Sequence, residues 1–435
     1  MVYTQIPLCE KWMFVGLPAF EHGKMQPLFA DCGCGLENDF DGPTGKDSFM
    51  HTFDGVSGED FISYIKKLEN MNFKKTFENE IDGNLFYRFA TKEGNFSAYY
   101  RPYFKTARFI LDQCDNTDAD KFGYSEYEEI NGNTVFSQYS LHYAHMIRGY
   151  STDCGMNYVY RLRDNSLIII DGGEIEQATD RVIEEYFAFL RRLTGTKAGE
   201  KMRISLWLCT HAHNDHADFF TKLIRVHGDD IILERTAFNF PLFANVKHSQ
   251  TVLTLKQRIK NIYPNAKYLK IRAGDVISIA NAVITVLSSS EDAVCFDEDG
   301  DDFTGLNDTS SVFTVEADGV KTLFLADTGR NNQRILIHSY RDETLQCNIM
   351  QIAHHGINYL PRLYEKIKAE KALLPQARLN MITRFQNVLA DLYKNYGERN
   401  IIYAYDVTSV FTLQNGEYSL VYIPHSGSVY DNSEL

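Results

Sequence analysis

The sequence predicts an α/β (α+β) fold made of a small N-terminal domain and a larger second domain. A helical pattern at residues 59–72 precedes three short apolar runs between residues 85 and 111, which is typical of a helix followed by a strand meander. After residue 135, buried strand-like runs alternate with amphipathic helical patterns, which indicates sheets covered by helices. The length of 435 residues exceeds one typical domain and favours two.

These patterns place the N-terminal α+β domain at residues 1–112, an acidic, turn-rich linker at 113–134, and the larger domain at 135–435. In the larger domain, helices are predicted at 176–193, 218–226 and 384–396. Its predicted strands are 157–162, 167–170, 204–209, a segment near 231, 267–271, 276–279, 283–287, the runs that lead to Asp327 and His354, and 409–413.

Composition limits the classes of partner. The formal net charge of −14 argues against general nucleic-acid binding, which normally needs a basic face. It is compatible with a small anionic substrate, because bound metal ions would dominate the local field. No apolar run approaches the length of about eighteen residues that a membrane span needs, and the N-terminus lacks a signal-peptide pattern. The eight cysteines are unevenly spaced, as free thiols are, so we expect a cytoplasmic protein. The sequence indicates no oligomeric state.

A histidine-rich segment carries the strongest chemical signal. His211, His213, Asp215 and His216 fall within six positions, directly after the apolar run 204–209. Imidazole nitrogens and carboxylate oxygens are the usual protein ligands of zinc and similar divalent ions. Alternate residues of an extended segment point the same way, so the first two histidines can face one ion. Asp215 and His216 follow on the turn, where they can face a second ion beside the first.

This motif resembles the signature of the metallo-β-lactamase fold, and further motifs follow in the family's order. One apolar run ends at Asp171, another at Asp327, and a third at His354 and His355. Together with Asn307 and its neighbours, these motifs are similar to one branch of the family. That branch contains the hydrolase-like domain of the DNA-uptake channel ComEC and the phosphorylcholine esterase-type enzymes. The resemblance covers about two thirds of the chain and implies a four-layer αββα sandwich.

The resemblance also implies two divalent metal ions, zinc in the first place. The candidate ligands are His211 and His213 for one ion, Asp215, His216 and one of His354 or His355 for the other, and Asp327 as the bridge between them. The candidate catalytic residues are Asp215, Asn307, His354 and His355. Adjacent residues of a strand point oppositely, so one member of the paired histidines would ligate. The other would hydrogen-bond a phosphoryl oxygen or protonate the leaving group. Asp171 would orient a ligand histidine from behind.

One departure from the family concerns the second ion. Most two-metal members carry another histidine between the first cluster and the bridging aspartate. Here that interval holds only His227, at the end of a helical run, and His248, in a polar stretch. Asn307 and Asp308 stand about one strand ahead of Asp327 instead. Amide and carboxylate oxygens are acceptable ligands for harder ions than zinc, so the second site can be loosely filled, or hold manganese or iron.

The function that the resemblance implies is that of a binuclear metal-dependent hydrolase. A water between two cations has a pKa lowered towards neutrality and becomes a metal-bound hydroxide that can attack phosphorus or carbonyl carbon. The main interpretation is hydrolysis of a phosphoester or phosphodiester. The alternatives are hydrolysis of an ester, lactone or amide (as in β-lactams) with the same metals, and a metal-binding protein that recruits a partner without catalysis. The acidic segment 297–302 is interpreted as a solvated loop rather than a calcium site.

Overall fold

A computed structural model describes residues 15–25, 48–92, 94–112, 126–141, 155–240, 250–293, 306–404 and 407–424. Their strands form three sheets, of six, nine and seven strands. The strands are β1 (Lys24–Met25), β2 (Ser48–Asp54), β3 (Lys74–Ile81), β4 (Asn84–Thr91), β5 (Gly94–Arg101), β6 (Thr106–Asp112), β7 (Thr134–Gln138), β8 (Tyr158–Arg161), β9 (Leu167–Ile170), β10 (Met202–Leu208), β11 (Ile231–Leu233), β12 (Arg235–Ala237), β13 (Lys267–Leu269), β14 (Val276–Ile279), β15 (Ala282–Ser288), β16 (Val312–Ala317), β17 (Val320–Phe324), β18 (Ile349–Gln351), β19 (Lys371–Leu374), β20 (Ile401–Tyr403), β21 (Val407–Gln414) and β22 (Glu417–Pro424).

The α-helices lie between these strands. They are α1 (Gly58–Asn70), α2 (Asp180–Thr194), α3 (Asn214–His227), α4 (Gln250–Ile262), α5 (Ser290–Ala293), α6 (Arg330–Ser339), α7 (Asp342–Leu345), α8 (Pro361–Ile367), α9 (Arg378–Arg384) and α10 (Gln386–Tyr396). None of the helices within the described ranges is long and apolar enough to cross a membrane.

The six-stranded sheet, which we call the N-terminal sheet, has the order β1-β2-β6-β5-β4-β3 with antiparallel neighbours throughout. Helix α1 begins after Ser57, whose hydroxyl accepts a hydrogen bond from the backbone N–H of Asp60. Phe61 and Leu68 of this helix are buried against the aromatic face of the sheet. The helix and three strands match the prediction. The prediction missed β1, β2 and β3. Strand β3 is mostly polar (Lys-Lys-Thr-Phe-Glu-Asn-Glu-Ile), so it lacks a strong apolar signal.

The other two sheets pack face to face and form the inner layers of a sandwich. Their orders are β13-β12-β10-β9-β8-β7-β21-β22, with β11 beside β10, and β14-β15-β16-β17-β18-β19-β20. Side chains from both, such as Ile168 and Leu206 from one and Phe324 and Ile349 from the other, share one buried cluster. The outer face of the first sheet packs against α2 and α3, and the outer face of the second against α6, α8 and α10. The predicted four-layer αββα architecture is confirmed.

The prediction for the larger domain missed several elements, among them β7, β16, β19, β22, α4 and α6, and it placed two helices differently. The helix expected at 384–396 is two helices, α9 and α10, which meet at Phe385, where the backbone leaves the helical region (φ −124°, ψ 37°). Helix α3 begins at Asn214 rather than near residue 218. The predicted linker lies outside the described residues from 113 to 125, and its last residue belongs to β7, so the domain boundary stays a prediction.

The topology brings four strand ends together. In the first inner sheet, β9 runs parallel to β10, and in the second, β17 runs parallel to β18. The carboxyl end of each of these strands leads directly to a predicted site residue: Asp171, His211, Asp327 and His354, respectively. Carboxyl ends of parallel strands in covered sheets are where such folds place their binding sites.

Candidate metal centre

The first site residues lie where β10 ends and α3 begins. Cys209 follows the strand, and its buried thiol donates to the carbonyl oxygens of His211 and His216. His213 immediately precedes α3 with an extended backbone (φ −98°, ψ 155°), and Asp215 lies in the first turn of the helix. The sequence predicted a turn at Asp215 and His216, but both residues lie in the first turn of this helix, and the helical backbone fixes their positions.

Six of the seven predicted ligands gather in two groups of donor atoms. The first group is His211, His213 and Asp327, and the second is Asp215, His216, Asp327 and His355. Within each group the ligand atoms all lie within 4.8 Å of one another. Asp327 belongs to both groups, so its carboxylate stands between them.

The carboxylate of Asp327 faces three imidazoles. Its Oδ2 atom lies 3.4 Å from Nε2 of His216, 3.4 Å from Nε2 of His355 and 3.9 Å from Nε2 of His211. Its Oδ1 atom is buried and has no hydrogen-bond partner among the described residues, and the same is true of Nε2 of His216. Buried polar atoms are nearly always paired, so such atoms in one cluster call for an explanation. Imidazole and carboxylate donors at this spacing fit a pair of divalent ions.

The backbone before Asp327 is held in an uncommon conformation. Ala326 has a positive φ of 49°, which costs a non-glycine residue about 1–2 kcal/mol. Two hydrogen bonds from the side chain of Gln351, on the neighbouring strand, stabilise this conformation. The Gln351 side chain accepts from the N–H of Ala326 at 2.6 Å and donates to the carbonyl oxygen of Ala326 at 3.1 Å. The N–H of Asp327 then donates to the Ser310 hydroxyl at 3.3 Å. These contacts turn the chain sharply after β17 and direct the carboxylate into the cluster.

Asp171 supports His216 from behind. Its Oδ2 atom lies 2.8 Å from Nδ1 of His216, and it also accepts from the Thr210 hydroxyl at 3.0 Å. Its Oδ1 atom accepts from the backbone N–H of Thr210 at 2.8 Å. The carboxylate holds the proton of His216 on Nδ1, which leaves Nε2 as the donor atom that faces Asp327. Thr210 was not singled out from the sequence, although it stands next to the motif.

The paired histidines take different places because of an unusual turn. They lie not on a strand but on a tight turn after β18, and both have left-handed backbones (φ 45° for His354 and 53° for His355). Nδ1 of His355 lies 2.9 Å from the carbonyl oxygen of Pro375, to which it donates, so Nε2 faces Asp215 and Asp327. Nε2 of both rings lies within 3.9 Å of Oδ2 of Asp327, so the expected strand alternation does not apply and the turn sets where the two rings lie.

His354 pairs with Asn307 at the edge of the cluster. Nδ2 of Asn307 lies 3.1 Å from Nε2 of His354, which is itself 3.9 Å from Oδ2 of Asp327. The side chain of His354 is 19% exposed, whereas that of His355 is buried. The amide of Asn307 also faces His213. Asp308 is outside both groups and packs against Gly329, where a Cβ atom would come within 1.9 Å of its carboxylate.

The charges of the two groups differ. Burial disfavours the charged form of His216, but the carboxylates of Asp171 and then Asp327 outweigh burial and raise its pKa well above the usual value. Burial likewise opposes the charge on Asp327, but His355 and then His216 outweigh it and lower the pKa of this carboxyl well below the usual value. Burial lowers the pKa of His211 well below the usual value. The imidazole of His211 is therefore neutral at neutral pH, the form that binds a metal ion.

The remaining sequence candidates lie elsewhere. His227, at the far end of α3, stacks on Phe187 with 3.8 Å between ring centroids and lies 3.1 Å from Glu184. His248 and the acidic segment 297–302 are outside the described residues. The carbonyl oxygen of Pro375 holds the ring of His355 by a hydrogen bond, and no pattern of side chains in the sequence indicates a backbone contact of this kind.

Comparisons with known proteins give only distant similarities. No family model matches the chain, and no curated protein does. The diiron β-hydroxylase CmlA from Streptomyces venezuelae is similar at 10% identity over 75% of this chain and 73% of that chain, with a TM-score of 0.36. Zn²⁺-bound PqqB from Methylobacterium extorquens is similar at 8% identity over 63% of this chain and 99% of that chain (TM-score 0.40). A metal-dependent hydrolase of the β-lactamase superfamily is similar at 10% identity over 67% of this chain and 100% of that chain (TM-score 0.36). With identities of at most 10% and TM-scores of at most 0.40, these similarities carry no inference about activity.

Proposed function

We propose that this protein is a metal-dependent hydrolase with a two-ion centre that cleaves a small phosphoester or phosphodiester. The observation that carries the proposal is the shared carboxylate of Asp327, which lies with His211 and His213 on one side and with Asp215, His216 and His355 on the other. His211 and His213 would hold one ion. Asp215, His216 and His355 would hold the other, with Asp327 between them. Two such ions lower the pKa of a bound water and neutralise negative charge on a substrate.

The residues around the two groups have distinct tasks in this proposal. Asp171 and the carbonyl oxygen of Pro375 hold their histidines with Nε2 directed inwards. His354 is the more exposed of the paired histidines, and its Nε2 edge faces Asn307 and Asp327. Burial lowers the pKa of His354, so its imidazole is neutral at neutral pH. We therefore assign His354, together with Asn307, the task of holding a substrate oxygen by hydrogen bonds.

The choice of a phosphoester rests on the narrower sequence resemblance to phosphorylcholine esterase-type enzymes and to the hydrolase-like domain of ComEC. A charged, tetrahedral phosphoryl group also suits a pocket in which two cations would face the substrate. The net charge of −14 supports a small substrate over a nucleic acid.

The test compares two histidines of the same helix. Wild-type protein loaded with zinc or manganese is assayed with a bis-aryl phosphodiester, a phosphomonoester, a lactone and a β-lactam, beside His216→Ala and His227→Ala. We expect the phosphodiester to be cleaved fastest, His216→Ala to lose at least about a hundredfold in rate together with metal, and His227→Ala to keep both. If the lactone or the β-lactam were hydrolysed and both phosphoesters were not, the proposed phosphoester substrate would be replaced by an ester, lactone or amide. Absence of metal uptake by wild-type protein would refute the centre itself.

A further inference from the structure

Two arginines of the N-terminal sheet reach into the sandwich and meet one buried carboxylate. Arg101 on β5 donates from Nε and NH2 to the two oxygens of Asp292, at 2.9 and 2.8 Å. Arg108 on β6 donates from NH1 to Oδ1 of the same residue at 2.8 Å. All three side chains are at most 4% exposed. A two-pronged arginine–carboxylate pair of this kind fixes direction as well as distance.

From Asp292 a chain of buried polar groups leads on towards the metal centre. Oδ2 of Asp292 lies 3.3 Å from the hydroxyl of Ser288, at the end of β15, and accepts from the N–H of Ser289 at 3.2 Å. The Ser288 hydroxyl donates to Oδ1 of Asn332 on α6 at 2.7 Å. Ser288 and Asn332 are fully buried, so each of these contacts is shielded from water.

The chain of contacts ends on the segment that carries Asn307. Nδ2 of Asn332 lies 3.0 Å from the carbonyl oxygen of Ser310 and 3.3 Å from that of Asp308. The Ser310 hydroxyl accepts from the N–H of Asp327, the carboxylate shared by both groups of donor atoms. Asn307 itself precedes these residues by one to three positions and touches His354.

A second buried pair between the same two parts of the chain offers a contrast. Arg88 on β4 donates to Asp275 at 2.7 Å, and both side chains are at most 2% exposed. Asp275 accepts from the backbone N–H of Arg272 in the turn before β14. This pair fastens the N-terminal sheet to the sandwich. Arg272 continues from it to Glu291 at 3.2 Å, but among the described residues neither Arg88 nor Asp275 has a side-chain hydrogen bond to Ser288 or Asn332.

We propose that Arg101, assisted by Arg108, is a positioning residue of the metal centre, so that the N-terminal sheet sets the geometry of the site through Asp292, Ser288 and Asn332. The proposal rests on the metal centre described above. It assigns the N-terminal sheet a role in the site although none of its residues belongs to either donor group. Arg101 acts on the segment 307–310 and on Asp327 through hydrogen bonds, and does not itself touch a donor atom.

The test compares Arg101→Lys, which keeps the charge but loses the two-pronged contact, with Arg88→Lys, which makes the same change at the other buried pair. A third variant, Ser288→Ala, removes one hydroxyl in the middle of the chain of contacts and leaves both arginines in place. For each full-length protein we would measure the Kd for Zn²⁺ by competition with a chromophoric chelator. The visible absorption of the Co²⁺-loaded protein and the Tm without metal would be recorded beside it.

The proposal expects Arg101→Lys and Ser288→Ala to weaken binding of at least one ion about tenfold and to change the Co²⁺ spectrum, since outer partners of metal ligands contribute on this scale. It expects Arg88→Lys to lower Tm with the Kd and the spectrum unchanged. The proposal would be overturned if Ser288→Ala, and each arginine variant that folds, had the same Kd and the same Co²⁺ spectrum as the wild-type protein. An equal loss of affinity in Arg88→Lys would also overturn it. Absence of metal binding in the wild-type protein is a different result, because it would overturn the centre as well.

Discussion

The substitution Asp171→Asn exchanges one oxygen for an amide group at the residue that supports His216. The carboxylate accepts three hydrogen bonds, from Nδ1 of His216, the Thr210 hydroxyl and the Thr210 backbone N–H. Asparagine keeps one acceptor oxygen, which can remain on the backbone N–H. Its NH₂ group would then face Nδ1 of His216, donor against donor. The imidazole can relieve this conflict only by moving its proton to Nε2, the atom that faces Asp327 and would bind the metal.

The magnitude follows from these contacts. Outer partners of ligand histidines contribute about 10- to 100-fold in metal affinity, or about 1.4–2.7 kcal/mol. The tautomer conflict places Asp171→Asn towards the upper end of that range. Loss of the carboxylate also removes one cause of the raised pKa of His216, so a proton competes less with the metal. Because the second effect opposes the first, we expect a net loss of affinity within the range and not beyond it.

Metal affinity is measured by competition with a chromophoric chelator at neutral pH, with Asp164→Asn as the matched control. Asp164 is also buried and lies just before β9, where it accepts from the N–H and hydroxyl of Ser166 and pairs with Arg203. The control should lower Tm and leave the Kd for zinc unchanged. If Asp171→Asn binds zinc as tightly as the wild type, the support that we assign to Asp171 is wrong.

The paired histidines and a histidine of the N-terminal sheet give two further predictions. His355→Ala should lose metal together with activity, whereas His354→Ala should keep its metal content and lose about a hundredfold in rate; equal metal loss in both, seen by elemental analysis, would show that both ligate. Burial lowers the pKa of His51 to about 4, below its ordinary value of 6.5. The unfolded chain therefore binds a proton that the folded protein does not, and the free energy of unfolding should fall by about 2 kcal/mol between pH 7 and pH 5 from this residue. In denaturant unfolding at the two pH values, the free energy of unfolding of His51→Gln should fall by correspondingly less than that of the wild type. An equal fall in both proteins would contradict the assignment.

Much of the sandwich could be predicted because its inner strands are continuous apolar runs. The run 167–170, for example, coincides with the fully buried strand β9. The site motifs stand at the ends of such runs, and topology then brings the ends together. The family resemblance is what placed residues far apart in the sequence, such as His211 and Asp327, in one predicted site. The family resemblance supplied the sharing of Asp327 between two ions, which spacing alone does not indicate.

The parts that could not be predicted depend on tertiary contacts. The left-handed turn at His354 and His355 exists only because the surrounding structure holds it, since two successive non-glycine residues with positive φ are uncommon. The carbonyl oxygen of Pro375 leaves no mark in the sequence. Arg101 looked like any charged residue at the end of a strand, since its partner Asp292 lies 191 positions away.

The donor atoms of the candidate centre come from both halves of the sandwich: Asp215 and His216 follow a strand of one inner sheet, and Asp327 and His355 follow strands of the other. An ion held by all four would be a further cross-link between the two sheets, beside the hydrogen bond that the N–H of Ser311 donates to the carbonyl oxygen of Thr210 at 2.9 Å. Mass action then makes the metal part of the folding equilibrium, since a ligand at a hundred times its Kd adds about 2.7 kcal/mol of stability. Chelation would therefore remove this contribution to stability, and the supply of metal would set what fraction of the protein stays folded.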